Sequence, residues 1–330
     1  MLIAAFAGAC GSSSGPSAAS SSSGQAPIQE WVQGIVSPKG DSGFVFMAQQ
    51  QGFYKKQGVK VTYQKFTGNV QLIQALIAGS IDSASSAPGT VIDADLKGAN
   101  LKIIGSTTPK LIDVVIAKDS IKSLKQLQGK TIGTSAPHAL PDTMVHAMLA
   151  KQGLDPKTIH TVNAGNDAQR FKALAAGRID AAEESPDFIP QMKGKPLHVL
   201  ATVQDVVPFF THHLIVVNGN SLKKKPEAAV RFLAGTMQGV DYATHHRQAE
   251  INLAAQKLQE PPSAPALAYD YDAIMKAHAA SPTSEIPTAE IKQLQQFRVK
   301  DGFQKAILDP SKLIDPTVRQ KALKLAHISN

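Results

Sequence analysis

The stretch GNVQLIQALIAGSID, residues 68–82, decides the fold of this chain because its second half occurs twice. Residues 75–82, ALIAGSID, recur as residues 173–180, ALAAGRID, and each copy is followed by small or polar residues and then by a proline. Internal repeats are the first pattern to seek in a sequence. A period of about a hundred residues is too long for a solenoid unit. The repeat therefore predicts two similar lobes.

Each copy of the repeat has a readable local structure. The apolar residues between positions 72 and 77 fall at helical spacing and form one stripe. Gly79 and Gly177 stand where the end of a helix favours a residue that tolerates positive φ. The Ile-Asp pair then begins a strand whose carboxyl end carries a loop, and in open α/β sheets ligands bind at that end. Two unrelated helices that both end in Ala-Gly are the simpler alternative, and the in-register run argues against it.

The composition limits the possible classes of protein. A chain of 330 residues has room for two packed domains. Cys10 is the single cysteine, so an intrachain disulfide and a cysteine-based metal site are excluded. The net charge of +8 is spread along the chain, and the run Lys223–Lys225 reads as a solvated turn. No basic stripe with interleaved aromatic residues is present, so we expect no nucleic-acid partner. We also expect no metal and no cofactor.

Residues 1–27 read as a signal remnant, a lipobox and a Ser/Gly tether. Ala7-Gly8-Ala9-Cys10 resembles the lipobox of bacterial lipoproteins, in which the cysteine becomes the lipidated N-terminus. Two features depart from that pattern: Ala7 stands where leucine is usual, and no Lys or Arg precedes the apolar run. We expect a lipid anchor at Cys10 and a membrane-anchored lipoprotein in the periplasm or on the cell surface. A disordered cytosolic tail with a stray cysteine is the alternative.

From Ile28 onward predicted strands and helices alternate, which indicates an α/β fold with mostly parallel sheets and flanking helices. We expect a first lobe over residues 28–116, a second lobe over 117–213, and a return to the first lobe with C-terminal helices over 214–330. The helices predicted in the last segment cover residues 228–242, 248–258, 289–301 and 317–326.

Residues 48–61, AQQQGFYKKQGVKV, followed by residues 75–82, are similar to the solute-binding proteins of ABC importers. The chain resembles the nitrate/sulfonate/taurine and NMT1/THI5-like group over residues 28–218. The resemblance implies a periplasmic-binding-protein fold of type II, with two lobes joined by a two-strand hinge. It also implies that a small-molecule ligand is clamped by hinge closure and delivered to an ABC permease in the membrane. We expect a monomer.

Several loops of the first lobe are predicted to touch the ligand. Hydroxyl groups and free backbone N–H groups before a helix, near Asp41 and Ser42, suit a carboxylate, sulfonate or phosphate. Either residue would instead cap the helix in the simpler interpretation. Ser85 and Ser86 align with the residues that line the cleft in the resembled family, with a plain turn as the alternative. The predicted residues of this lobe are Ser37, Lys39, Asp41, Ser42, Ser85, Ser86 and Thr108.

The second lobe is predicted to supply Ser135, His138, Thr143, Glu183, Glu184 and Phe210. His138 is alternatively a solvated loop residue, and Phe210 either an aromatic wall or part of the core. Because side chains along a strand alternate between faces, one of Glu183 and Glu184 is expected to face the cleft and the other solvent. A carboxylate in the cleft would repel an anion and prefer an amine, an amidine or a hydroxyl group.

We therefore predict a binding component that captures a small organic, anionic molecule of sulfonate or carboxylate type carrying a hydrogen-bond donor. A binding protein for a thiamine pyrimidine precursor is the first alternative, and an enzyme of the menaquinone-pathway type on the same fold is the second. The pyrimidine synthase of the resembled superfamily and porphobilinogen deaminase both need a cysteine, and this chain has Cys10 alone. We expect a protein that is not an enzyme.

Overall fold

The computed structural model describes residues 28–36 and 38–329, which build two lobes around two five-stranded sheets. The predicted signal, tether and lipidated Cys10 lie outside the described residues. The strands are β1 (Gln29–Val36), β2 (Val59–Phe66), β3 (Ser83–Ser86), β4 (Leu101–Thr108), β5 (Val114–Lys118), β6 (Thr131–Thr134), β7 (His160–Asn163), β8 (Ala181–Glu184), β9 (Leu197–Thr202) and β10 (His213–Asn218). The helices before the return to the first lobe are α1 (Ser42–Gln50), α2 (Phe53–Lys56), α3 (Asn69–Ile77), α4 (Pro88–Asp95), α5 (Leu140–Lys151), α6 (Asp167–Ala175) and α7 (Val203–Val206). Those after it are α8 (Gly219–Lys224), α9 (Pro226–His245), α10 (Arg247–Leu258), α11 (Pro265–Lys276), α12 (Thr288–Lys300), α13 (Pro310–Leu313) and α14 (Pro316–Ala326).

The two sheets have the same topology. The first has the strand order β2-β1-β3-β10-β4, in which β10 is antiparallel to both of its neighbours. The second has the order β7-β6-β8-β5-β9, in which β5 is antiparallel to both of its neighbours. In each sheet the other strands share one direction. The prediction of a two-lobe α/β fold with mostly parallel sheets is confirmed.

The chain crosses between the lobes in residues 109–113 and 207–212. These segments run side by side, and the N–H of Leu111 donates to the carbonyl of Phe210 at 3.2 Å. Since β5 begins at Val114, the boundary predicted after residue 116 falls inside a strand of the second sheet. The first crossing is therefore earlier in the chain, and the return crossing ends where β10 begins at His213.

The repeat forms the same unit in both lobes. In the first copy α3 ends at Ile77, and in the second α6 ends at Ala175. Gly79 and Gly177 both have φ of 74°, a conformation that strains residues with a side chain. The strands β3 and β8 follow directly, so the predicted sequence of helix, glycine stop and strand is present twice.

The aspartate shared by the two copies ties each strand to its neighbour. Asp82 accepts the backbone N–H of Val32 at 2.8 Å, and Asp180 accepts that of Thr131 at 3.0 Å. Each carboxylate also pairs with a lysine: Asp82 with Lys225, and Asp180 with Lys118. The repeated aspartate therefore anchors the sheet and is not a ligand group.

The C-terminal segment is helical, and it contains three helices that the sequence pattern did not predict. The four predicted helices correspond to α9, α10, α12 and α14, and the unpredicted ones are α8, α11 and α13. The longest unpredicted helix is α11, whose Leu267, Tyr271 and Ile274 are buried in the core of the first lobe. Among the described residues, no helix combines the length and apolar character needed to cross a bilayer.

Helices α1 and α9 approach each other closely in the first lobe. A Cβ atom at Gly239 would lie 2.5 Å from the backbone nitrogen of Ala48 and 2.7 Å from its Cα. Backbone atoms cannot move aside as a flexible side chain does, so this position requires glycine. The contact fixes α1, and α1 positions the loop at its N-terminus that faces the other lobe.

We expect Gly239→Ala to lower the free energy of unfolding by about 1–3 kcal/mol, because the added methyl group must push α1 away from α9. Urea denaturation followed by circular dichroism measures the change. Glu227→Ala, at an exposed position of the same helix, is the control and should have little effect. Equal stability of the Gly239→Ala variant and the unmodified protein would contradict the close packing.

Candidate functional site

A small cavity lies between the lobes, beside the crossing segments. Its volume is about 20 Å³, enough for about one water molecule. The lobes are therefore closed on each other. The residues that line the cavity are Lys39, Gly40, Asp41, Thr108, Lys110, Ile112, Asp113, Ser185, Pro186, His212, Asp270, Ile274 and Ala279.

The loop before α1 carries three predicted residues. Lys39 and Asp41 line the cavity, and Ser42 does not. The hydroxyl of Ser42 donates to the carbonyl of Lys39 at 2.5 Å and accepts the N–H of Lys39 at 2.9 Å, so it closes its own turn. Asp41 stands at the N-cap of α1 without a side-chain capping bond, and its carboxylate lies 3.9 Å from Nδ1 of His212. Ser37 lies outside the described residues.

Two carboxylates from the C-terminal helices pack against glycines of this loop. A Cβ at Gly40 would lie 2.5 Å from Oδ2 of Asp270, and one at Gly43 would overlap the carboxylate of Glu250. Burial and the nearby Asp41 raise the pKa of Glu250 to about 8, while the backbone N–H groups of Gly43 and Phe44 act in the opposite direction. The N-terminus of α1 therefore already faces an acidic group of the protein.

In the second lobe, a buried arginine organises the end of β8. Arg170 is 1% exposed, and its Nη2 donates to Glu183 at 2.8 Å and to Asp167 at 2.7 Å. Glu183 and Glu184 are 2% and 0% exposed, so the prediction that one of them faces solvent is wrong. The physical reason is that α5 and α6 both pack on β8 and leave neither face of the strand open to water.

Glu184 is buried without a hydrogen-bond donor. Neither of its carboxyl oxygens has a partner among the residues that the structure describes. Burial raises the pKa of Glu184 to about 10, and the attraction of Arg170, whose Nε is 3.7 Å away, only partly opposes this. The group therefore holds a proton at neutral pH.

An ion pair joins the lobes across the cavity. Nζ of Lys39, from the first lobe, lies 2.5 Å from Oδ2 of Asp167, from the second. Burial alone would lower the pKa of Lys39, but Asp167, with further carboxylates nearby, raises it above its usual range. Burial would likewise raise the pKa of Asp167, but Lys39 and Arg170 hold it below its usual range. Both partners are charged, and their contact joins the two lobes.

Two further carboxyl groups face the cavity. Asp113 lies in the first crossing segment, and Asp270 lies on α11. Burial raises the pKa of both groups well above the usual range; Glu183 adds to the effect on Asp113, and Asp187 to that on Asp270. In the described part of the chain, no N–H group donates to either carboxyl. Asp113 shares a hydrogen bond with the carboxyl group of Glu183, and Asp113 and Asp270 both line the cavity.

The end of β4 and the second crossing segment complete the cavity. Thr108, as predicted, lines it, and its hydroxyl lies 3.1 Å from Nδ1 of His212. Burial lowers the pKa of His212 to about 3 and that of His213 well below its usual range, so both rings are neutral. Phe210 is 1% exposed in the core of the second lobe, beside Phe209. It therefore packs in the core and is not a wall of the cavity.

The loop before α5 carries three predicted residues, and one of them, His138, packs against Phe303. His138 has φ of 63°, and its ring stacks on Phe303 at 4.2 Å between centroids. Thr143 is buried and donates to the carbonyl of His138 at 3.1 Å. Ser135 is half-buried. The loop is thus held against the segment that follows α12, and these three residues are not among those that line the cavity.

The two predicted serines that follow the first copy of the repeat, Ser85 and Ser86, are not among the residues that line the cavity. Ser86 is fully buried, and its hydroxyl donates to the side-chain oxygen of Asn69 at 3.0 Å. Ser85 is half-buried at the end of β3. Their contact with a ligand remains a prediction.

Sequence reasoning missed more of the site than it found. The additional residues are Lys110, Asp113, Asp167, Arg170, Ser185, Asp187, His212 and Asp270. A signal was present for Asp167 and Arg170, because they precede the second copy of the repeat at the positions where Asn69 and Leu72 precede the first. No local signal marked Asp270, which belongs to the unpredicted helix α11.

The fold and the cleft define a two-lobe protein with its site between the lobes, and comparison with known proteins gives the family. The chain belongs to the NMT1/THI5-like family, whose model matches residues 40–250. A putative binding protein of Brucella abortus is 27% identical over 220 residues, which cover 64% of this chain and 66% of that protein. The match thus spans just under two thirds of that relative's own length.

Two further proteins are similar to this chain. A putative thiamine biosynthesis protein of Haemophilus influenzae is 26% identical over 246 residues, which cover 67% of this chain and 72% of that protein. The periplasmic aliphatic sulphonate binding protein SsuA of Escherichia coli has a similar structure, with a TM-score of 0.72 at 18% identity, covering 88% of this chain and 93% of SsuA. At that identity the likeness establishes the fold.

The protonated carboxyl of Glu184 predicts how stability depends on pH. Its pKa is about 10 in the folded chain and ordinary in the unfolded chain. The unfolded state therefore loses this proton first, and the contribution of Glu184 to stability falls as pH rises from about 4.5 to 10. Glu184→Gln should remove this fall, so the variant gains on the unmodified protein by at most about 1.4 kcal/mol per pH unit in that range.

Urea denaturation at pH 4, 6, 8 and 9 tests this expectation. The two proteins should be about equally stable at pH 4 and diverge as the pH rises. Glu227→Gln, at an exposed position on α9, is the matched control and should show no such divergence. A stability difference that does not grow with pH would mean that Glu184 is ionised in the folded protein.

Proposed function

We propose that this protein is the solute-binding component of an ABC importer, which holds a small organic ligand between its lobes and presents it to a membrane permease. The observation that carries the proposal is the buried polar cavity at the hinge, with the Lys39–Asp167 ion pair closing over it. Each lobe has its own sheet, and the chain passes between the sheets in two crossing segments, about which we propose that the lobes rotate. We propose a periplasmic or cell-surface location and a monomer; a lipid anchor at Cys10 is part of the same proposal.

Hinge closure links binding to recognition by the permease. Thr108 and Asp113 stand at the two ends of the first crossing segment, and His212 at the end of the second. Rotation of the lobes therefore changes the distances among these residues. A ligand that contacts both lobes binds the closed form better than the open one and shifts the population toward it. A permease that recognises the closed shape would then receive loaded protein.

Two ligand classes follow from the relatives and the residues. An acidic head group of sulfonate or carboxylate type would use the cations of the cavity, Lys39 and Lys110, and SsuA is named as a sulphonate-binding protein. An aminopyrimidine would donate its N–H groups to Asp113 and Asp270, and the Haemophilus influenzae relative is named as a thiamine biosynthesis protein. Both classes carry the predicted hydrogen-bond donor, and neither requires a chemical step.

Removal of the ion pair should open the cleft. We expect Asp167→Asn to increase the radius of gyration of the ligand-free protein, because Lys39 then loses its charged partner in the other lobe. Small-angle X-ray scattering measures the change, with Glu260→Gln at an exposed position as control. Lys39→Met should have the same effect, which separates opening from a fold defect in the second lobe. An unchanged radius in both variants would show that the pair does not hold the lobes together.

Binding itself is tested by thermal shift on the unmodified protein. A library of sulfonates, carboxylates, amines and aminopyrimidines is screened, and at least one compound should raise the melting midpoint and decrease the radius of gyration of the Asp167→Asn variant. The same compounds are incubated with the protein and analysed for product. If no compound binds, or if a compound is converted, the binding-component proposal fails.

A further inference from the structure

We propose that the ligand of the cleft is an organic cation that carries N–H groups, such as a primary ammonium, an amidinium or a guanidinium, and that Lys39 competes with it for the carboxylates of the cleft. This inference rests on the proposed binding function and narrows it to one class of ligand.

The balance of charge around the cavity favours a cation. The carboxyl groups in and beside the cavity wall are those of Asp41, Asp113, Asp167, Glu183, Asp187 and Asp270. The cations are fewer, and they are engaged: Lys39 by Asp167, and Arg170 by Asp167 and Glu183. Lys110 is exposed, and its Nζ lies 3.4 Å from the carbonyl of Ala277. An anion that entered here would lose its hydration and meet cations that are already paired with carboxylates.

The main-chain donors that usually bind an anion also face a carboxyl group of the protein. A helix N-terminus attracts anions through its free N–H groups. In this chain the start of α1 faces the carboxyl group of Glu250, which α10 supplies and for which Gly43 makes room. A ligand with a sulfonate or carboxylate would have to displace an acidic side chain that is itself 1% exposed.

The acceptors that remain open are distributed over both sides of the cleft. Asp113 and Asp270 are each 4% exposed, and within the described ranges no N–H group donates to them. Glu184, next to Ser185 of the cavity wall, has two buried oxygens without a partner. A buried acceptor without a hydrogen-bond donor destabilises the folded protein. A ligand with several N–H groups would supply the missing donors. Asp270 lies on α11, and Asp113 lies in the first crossing segment. A ligand that contacts both residues would therefore also stabilise closure.

Lys39 behaves as an internal substitute for this ligand. Its ammonium reaches across the cleft to Asp167 and lies near Asp113 and Glu183. A ligand ammonium or amidinium would make the same contacts and release Lys39. Lys39→Met should therefore have opposite effects on the two classes of ligand. It should lower the affinity for an anion and raise the affinity for a cation.

The walls of the cavity indicate which kind of cation fits. The apolar residues are Ile112, Pro186, Ile274 and Ala279. Among the described residues that line the cavity there is no Phe, Tyr or Trp. Quaternary ammonium groups are usually bound on aromatic faces, whereas N–H cations need carboxylate acceptors. The cleft has the acceptors, so the proposal is restricted to N–H cations.

Isothermal titration with head-group series of equal shape tests the proposal on the full chain. The first series is benzamidine, benzamide, benzoate, benzenesulfonate and phenyltrimethylammonium; the second is acetamidine, acetamide, acetate, methanesulfonate and tetramethylammonium. Magnesium chloride is titrated separately. We expect an amidine of at least one series to bind, and the neutral, anionic and quaternary members to bind at least tenfold more weakly or not at all.

Three variants assign the binding to the cleft. Asp270→Asn should weaken amidine binding at least tenfold, while Asp272→Asn, at an exposed position on the same helix, should leave it unchanged. Lys39→Met should strengthen it. If circular dichroism shows that Asp270→Asn does not fold, Asp113→Asn serves in its place with the same expected loss.

The outcomes separate this inference from the proposed function. Binding of the sulfonate or carboxylate members without the amidines, or loss of binding in Lys39→Met, overturns the cation inference and leaves the binding function intact. Preference for the quaternary member or for magnesium also overturns it. If no member of either series binds and the broader library gives binding only of sulfonates, carboxylates or aminopyrimidines, the cation class is excluded; if that library fails as well, the proposed function falls too.

Discussion

The buried ion pair between Lys39 and Asp167 links the first lobe to the network of charged groups in the second. A buried ion pair stabilises a protein only when its geometry and further hydrogen bonds offset the loss of hydration. Here Asp167 satisfies both conditions, because it accepts from Lys39 in one lobe and from Arg170 in its own. Arg170 in turn holds Glu183. The closing contact is therefore continuous with the buried network of the second lobe, and the position of one lysine is linked to the ionisation of several carboxyl groups.

The repeat explains why the two sides of the cleft differ. Residues at the same repeat position build the same structure: Asp82 and Asp180 each fasten the neighbouring strand. Three other positions change together. Leu72 of the first lobe is replaced by Arg170 in the second, and Ser85 and Ser86 are replaced by Glu183 and Glu184. Arginine and its carboxylate partner appear in the same copy because neither is tolerated in a buried position without the other. The first copy keeps an apolar helix face and hydroxyl groups at this place.

The sequence predicted the two lobes because the repeat at residues 75–82 and 173–180 is visible in it, and it predicted the alternating strands and helices because these follow from local periodicity. It also predicted Lys39, Asp41 and Thr108, which lie in loops or at strand ends and line the cavity. It failed for hydroxyl groups: Ser42 and Thr143 satisfy their own loops, and a sequence does not distinguish a hydroxyl that bonds locally from one that faces a ligand. It also missed Asp270, because α11 contacts Gly40 from a distant part of the chain and no local pattern indicates such a contact.

Closure and ionisation oppose each other in this cleft. Burial raises the pKa values of Asp113, Asp270 and Glu184. In the closed form these carboxyl groups therefore avoid mutual repulsion by holding protons. Opening of the cleft would return water to the groups of the cavity wall and favour their charged state. The cation that we propose as ligand would reverse this balance, because it would pair with the ionised carboxyl groups and donate N–H groups to them. Closure would then depend on what fills the cleft, as the proposed binding function requires.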